Sequence, residues 1–155
     1  MTPRRWPTSS SLTTSRSRAR SVSLGLPPGW VDRSVLTYVG PDDGEGSPSL
    51  VVTTDDVDGG TTLARYASLQ DAAVRAGFEG IDLVDDRETT VGGHPAVRRT
   101  YRWRHDDRVM RQRMWCLLID DVGYAIIASA PDAAFDGLRS TFAAALHDFG
   151  VGPPD

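Results

Sequence analysis

Apolar residues in this chain follow two spacings. Over residues 21–60 and 81–130 they come in short runs rich in Val, Ile, Tyr and Trp, punctuated by Gly, Pro and paired Asp. Such runs predict strands. Ser21–Leu26 alternates and is stopped by Pro27-Pro28-Gly29. Trp30–Val39 predicts a second strand, residues 40–48 a loop, and Leu50–Thr54 a third strand. Ile81–Val91 predicts another, joined by Gly92-Gly93 to a long hairpin, His94–Ile119, that turns at Asp106-Asp107. Tyr124–Ala130 follows a turn at residues 120–123.

The second spacing is helical. Leu63, Tyr66, Leu69 or Gln70, Ala73 and Val74 form one stripe, with Thr61 or Thr62 as N-cap and Gly77 just past the end. Phe135, Leu138, Phe142, Leu146 and Phe149 form another, capped by Asp132 after Pro131 and ended by Gly150. Three strands, a helix, four strands and a helix predict an α+β domain. Its mostly antiparallel sheet has about six or seven strands, with two helices packed on one face.

Alternation assigns the hairpin residues to faces. With a two-residue turn, His105 pairs with Arg108, Trp103 with Met110, Tyr101 with Gln112 and Arg99 with Met114. One face carries Val97, Arg99, Tyr101, Trp103, Met110, Gln112, Met114, Cys116 and Leu118, mostly apolar, and is expected to meet the helices. The other carries Arg98, Thr100, Arg102, Arg104, Val109, Arg111, Arg113, Trp115 and Leu117, and is expected to be open.

The chain has 155 residues, enough for one domain. All seventeen basic residues are Arg. Residues 1–20 hold five of them and no acid; the remainder holds twelve Arg against twenty-one acids, a net charge of −9. An acidic body argues against general nucleic-acid binding. The first twenty residues share an Arg-rich, Ser-rich, acid-free composition with organelle transit peptides. Pro3, Pro7 and the Ser/Thr run favour a disordered basic tail instead. The domain then spans 21–150, with 151–155 a frayed end. No apolar run reaches transmembrane length and no apolar signal segment is present, so a cytoplasmic protein is expected.

Catalytic patterns are weak. His94, His105 and His147 lack ligand spacing, so no metal site is predicted. Cys116 lies in an apolar strand, where a buried core role outweighs a nucleophilic one. There is no G-x-S-x-G elbow and no phosphate-loop GK[ST]. Residues 55–60, DDVDGG, fail as a calcium loop, which would need an acid at Thr54 and a Glu at Arg65. No catalytic residue and no cofactor are predicted.

Four stretches carry a family resemblance: LPPGWVDRSV at 26–35, the helix after the acidic turn, GGHPAVRRTYRWR at 92–104 with QRMWCLLID at 112–120, and APDAAFD at 130–136. In order and spacing, residues 21–149 resemble the DcrB-like domains of unknown function, which include the Eag chaperones of type VI secretion. The resemblance implies a PsbP-like fold with a curved sheet. It also implies a non-enzymatic chaperone or adaptor, as a homodimer in the Eag branch, whose open sheet face holds a protein client such as a secreted effector or its transmembrane segment. The Arg-rich face departs from that picture, since an apolar client asks for apolar groups.

The residues expected to meet a partner are Arg98, Thr100, Arg102, Arg111, Arg113 and Trp115, because Arg and Trp are frequent interface anchors. Beside this stands a solvated face balanced by Asp85, Asp86 and Glu88. Two other readings remain open: an anion or nucleic-acid binding module using the same arginines, and an envelope-associated member of the same family.

Overall fold

The structure is a computed structural model that describes residues 25, 27–30, 35–42, 44 and 46–152. It divides into two units, residues 1–30 and 31–155. In the first, Pro27–Trp30 forms a turn: the Trp30 amide donates to the Pro27 carbonyl at 3.1 Å, and Gly29 takes φ +83°. The predicted tail 1–20, the strand at 21–26 apart from Gly25, the segment 31–34 of the second strand and residues 153–155 lie outside the described residues.

The second unit is α+β, as predicted. Its strands are β1 (Val35–Val39), β2 (Ser49–Asp56), β3 (Asp82–Val91), β4 (His94–His105), β5 (Arg108–Ile119) and β6 (Val122–Pro131). They form one six-stranded sheet in the order β1-β2-β6-β5-β4-β3, and every ladder is antiparallel. Helix α1 (Leu63–Gly77) links β2 to β3, and α2 (Asp132–Phe135), a short 3₁₀ turn (Asp136–Leu138) and α3 (Arg139–His147) follow β6. The continuous last helix expected from the stripe is therefore broken around Gly137, the residue whose backbone entropy resists helix formation most.

The β4–β5 hairpin has the predicted register. His105 faces Arg108, Trp103 faces Met110, Tyr101 faces Gln112 and Arg99 faces Met114. The turns use left-handed residues: Gly92 and Gly93 at φ +57° and +82°, Asp106 at +52°, and Asp120 and Asp121 at +49° and +61°. Asp tolerates this region better than most non-glycine residues.

The placement of the helices corrects the expectation of a single covered face. Helix α1 crosses the face bearing Val97, Tyr101, Met114, Cys116 and Ala125, and buries Tyr66 and Ala67 there. The C-terminal helices fold back over the opposite face, where Phe135, Phe142, Leu138 and Leu146 meet Trp115, Leu117, Ile126 and Ala128. The cause is visible in β6 and the second half of β5. Met114–Leu118 and Tyr124–Ala130 are apolar on both parities, the pattern of a strand buried on both sides. Full burial of each large side chain here contributes about 1.5–3 kcal/mol.

Polar ties fix α1 on its face. Thr62 caps it by accepting from the Arg65 amide at 3.1 Å. The Tyr101 hydroxyl donates to Asp71 at 2.6 Å, and Arg99 donates to the Ala67 carbonyl at 2.9 Å. The Tyr66 ring lies so close over β6 that a Cβ on Gly123 would clash with it, so Gly123 belongs to the packing rather than to the turn. Among the described residues, no helix is long and apolar enough to cross a membrane.

Candidate functional site

The face crossed by the C-terminal helices is divided along its length. Its β2–β6 part, with Trp115 and Leu117 of β5, is apolar and covered. Towards β3 and β4 it is lined by arginine, including Arg111 and Arg113 of β5. Strand pairing sets Arg87 directly opposite Arg98, and Arg102 directly opposite Arg111. Like charges so placed are unfavourable, and each pair is bridged by a carboxylate. Asp85 accepts from Arg98 at 2.7 Å and from Arg87 at 3.2 Å. Asp132 Oδ1 accepts from Arg111 at 2.8 Å and from Arg102 at 3.2 Å. Asp136 accepts from Arg139 at 2.8 Å and reaches Arg111 at 3.4 Å. Of the three acids expected to balance this face, only Asp85 does so; Asp86 pairs with Arg99 on the α1 face.

Arg113 is held differently. Its Nε donates to the Thr100 hydroxyl at 3.0 Å, and its guanidinium carbon lies 5.2 Å from the Phe135 ring centroid. Among the described residues no carboxylate forms an ion pair with it. Burial, then the neighbouring charges of Arg98, Arg139 and Arg111, bring its pKa down to about 10. It still carries its charge near neutrality. Arg98 adds a second unsatisfied feature: its Nε is shut off from water and has no hydrogen-bond partner.

These groups line an open cleft of about 330 Å³. Arg87, Arg98, Arg111, Arg113 and Arg139 border it together with Asp85, Thr100 and Val84. Arginine forks surround a polar hollow, and the hydrogen bond from Arg98 holds the Asp85 carboxyl below the usual carboxylate range. The arrangement supplies positive charge and directed N–H donors. A second cleft of about 380 Å³ lies between the β1–β2 loop and the C-terminal helices, lined by Pro41, Pro48, Pro131, Ala134 and Leu138. It is mostly apolar.

The predicted residues separate. Arg98, Thr100, Arg111 and Arg113 come together at the arginine cleft. Arg102 sits beside it on Asp132. Trp115 and Thr100 are corrections to the expected open surface. Trp115 is 6% exposed and packs beneath the C-terminal helices, and Thr100 is 1% exposed as the acceptor for Arg113. Arg87 and Arg139 were missed. The bulge between Leu83 and Asp85 sets which face Arg87 occupies, and Arg139 reaches the cleft only because the last helix lies on this side.

Nucleophile and metal chemistry find little here. Burial pushes the Cys116 thiol up to about 12, away from thiolate. Among the described residues no three His, Cys, Asp or Glu side chains converge to hold a metal.

Comparison with solved structures places the fold. The crystal structure of PA94 from Pseudomonas aeruginosa, a protein of unknown function, matches with a TM-score of 0.73 at 20% identity, covering 88% of this chain and 96% of that one. LpqN of Mycobacterium tuberculosis, involved in cell envelope biogenesis, matches with a TM-score of 0.50 at 17% identity, covering 76% and 79%. The solution structure of PsbP (CyanoP) from Synechocystis sp. PCC 6803 gives a TM-score of 0.48 at 15% identity, covering 79% and 96%. At these identities the likeness to PA94 and LpqN is one of fold. No curated protein gives a significant sequence match. The DcrB family matches residues 22–148, most of the chain, and the protein belongs to that family.

Proposed function

We propose that this protein is a non-enzymatic binding protein that takes an anionic group of its partner into the arginine cleft. One observation carries the reading. Arg113 is half-buried and, among the described residues, has no paired carboxylate; it lies among four other arginines in a chain whose body is net acidic. Desolvating an unpaired cation works against folding, so the arrangement is better explained by what it binds than by stability. Arginine is a poor proton acceptor and Cys116 is not poised as a nucleophile, so the site favours recognition over catalysis. The compartment we propose with it is the cell envelope, by analogy of fold with LpqN.

The test is binding of small anions to the full chain by calorimetry across a salt series. Affinity falls with salt and is lost when Arg98→Glu and Arg113→Glu are combined in a variant that keeps the wild-type circular dichroism. Affinity unmoved by both changes removes the proposal.

A second reading, a chaperone or adaptor holding a polypeptide client, is favoured by β1. Among the described residues β1 ends the sheet, and Val35, Leu36, Tyr38 and Val39 are 51%, 42%, 38% and 67% exposed. An apolar edge strand without charge or proline is suited to adding a strand from a partner. With a helix on each face, a client meets this sheet at its edge. Placing Lys at Thr37 and Val39 abolishes client capture on this reading and leaves anion binding unchanged; retained capture removes it.

A further inference from the structure

We infer that the occupant of the arginine cleft is a phosphoryl dianion, either inorganic phosphate or a phosphate monoester. The inference rests on the anion-binding reading above and narrows it. Charge is the first argument. Among the described residues, five arginines line the cleft, and the carboxylates that touch them are Asp85, Asp132 and Asp136. Two positive charges remain uncompensated, and Arg102, which shares Asp132 with Arg111, adds to the excess. A single carboxylate ligand leaves part of that excess in place; a dianion neutralises two charges.

Donor geometry is the second argument. The forks approach from four elements: Arg87 from β3, Arg98 from β4, Arg111 and Arg113 from β5, and Arg139 from α3. A planar carboxylate is satisfied by one or two forks, whereas the three terminal oxygens of a phosphoryl group accept from several directions at once. Arg113 keeps its Nε on Thr100 and its plane against Phe135, which directs its terminal nitrogens without occupying them on a carboxylate. Its partial burial strengthens attraction to an incoming charge relative to an arginine in water.

Size and composition narrow the source. A volume of about 330 Å³ accommodates a phosphoryl group with a small substituent, at the low end of ligand pockets. Among the described residues, Val84 is the only apolar residue of the lining, and none of the lining residues offers an aromatic face on which a base could stack. A polynucleotide is thereby disfavoured, as it is by the acidic body. A soluble ester, free phosphate and a monoester lipid headgroup share the chemistry that remains.

The test is calorimetric titration of the full chain with phenyl phosphate, inorganic phosphate, dimethyl phosphate, acetate and hexaglutamate. A separate arm uses phosphatidylcholine vesicles with and without phosphatidic acid. Phenyl phosphate is expected to bind at least tenfold more tightly than dimethyl phosphate or acetate. Its affinity rises as pH passes the second ionisation of the monoester, near about 6. Arg98→Met and Arg113→Met each lower it at least tenfold, and Arg104→Met, outside the cleft, does not. Tight binding of phenyl phosphate or inorganic phosphate assigns a soluble source; binding of phosphatidic acid vesicles alone assigns a headgroup. If acetate or hexaglutamate binds as tightly as phenyl phosphate and Arg113→Met abolishes that binding, the dianion inference falls and the anion-binding reading stands. If no anion binds, both fall. If phenyl phosphate binds but neither Arg98→Met nor Arg113→Met weakens it, the site lies elsewhere and the inference falls. The wild-type comparison of mono- and dianions needs no variant to fold.

Discussion

The Arg113 guanidinium lies against the ring of Phe135, 5.2 Å from carbon to centroid, and the same ring stands 5.5 Å from that of Phe142. One buried aromatic side chain thus backs a cleft arginine from within the core. Phe135 is completely buried. Phe135→Ala removes a large core side chain, with an expected loss of about 3–5 kcal/mol. Denaturant unfolding monitored by circular dichroism measures it. A loss below about 1 kcal/mol would mean that the C-terminal helices are not packed as described.

Asp132 is the bridge between Arg102 and Arg111. Asp132→Asn leaves two facing arginines with less compensation. The expected cost is about 1–3 kcal/mol, at the low end because Arg102 is 41% exposed. The same change makes the cleft more positive, so anion affinity should rise while stability falls. Paired unfolding and calorimetric titrations check the opposed signs.

Gly123 and Tyr66 form a close contact that leaves no room for a methyl group. Gly123→Ala is expected to cost about 1–3 kcal/mol by overpacking. In a Tyr66→Leu background the added cost should shrink, because the clash is with the ring. A double-mutant cycle measures the coupling; additive effects would contradict the contact.

Acid should weaken the fold through Asp71 and Asp85. Burial pushes the Asp71 carboxyl up, but hydrogen bonds from Tyr101 and Arg75 outweigh it and leave it lowered. Asp85 is lowered chiefly by the hydrogen bond from Arg98. A folded pKa below the unfolded value of about 3.9 contributes stability that is present above that pH and lost as pH falls through the folded value. Stability should therefore decline from about pH 4 downward, and Asp71→Asn should flatten part of that decline. Unfolding midpoints measured between pH 3 and pH 7 test the slope.

Much of this was legible in the pattern of residues. The Asp106-Asp107 turn and alternation set the whole β4–β5 register, and the helical stripes located α1 and the C-terminal segment. The face of a strand is not uniform along its length. Arg98, Arg102, Arg111 and Arg113 share a face with Trp115 and Leu117, so one face carries both arginines and core residues. Trp115 is a core residue, and β6 has no exposed position on either face. Arg139 had no local signal at all, because its place depends on which way the chain turns after Pro131.

The proposed anion site centres on Arg113. Arg113→Met keeps an apolar stem over Phe135 and removes repulsion from Arg98, Arg111 and Arg139. The decisive measurement is the unfolding free energy of this variant alongside its anion affinity. Stability is expected to be unchanged or raised by up to about 1 kcal/mol, with anion affinity reduced at least tenfold, if Arg113 serves binding. A variant destabilised by more than about 2 kcal/mol that binds anions as well as the parent would contradict it.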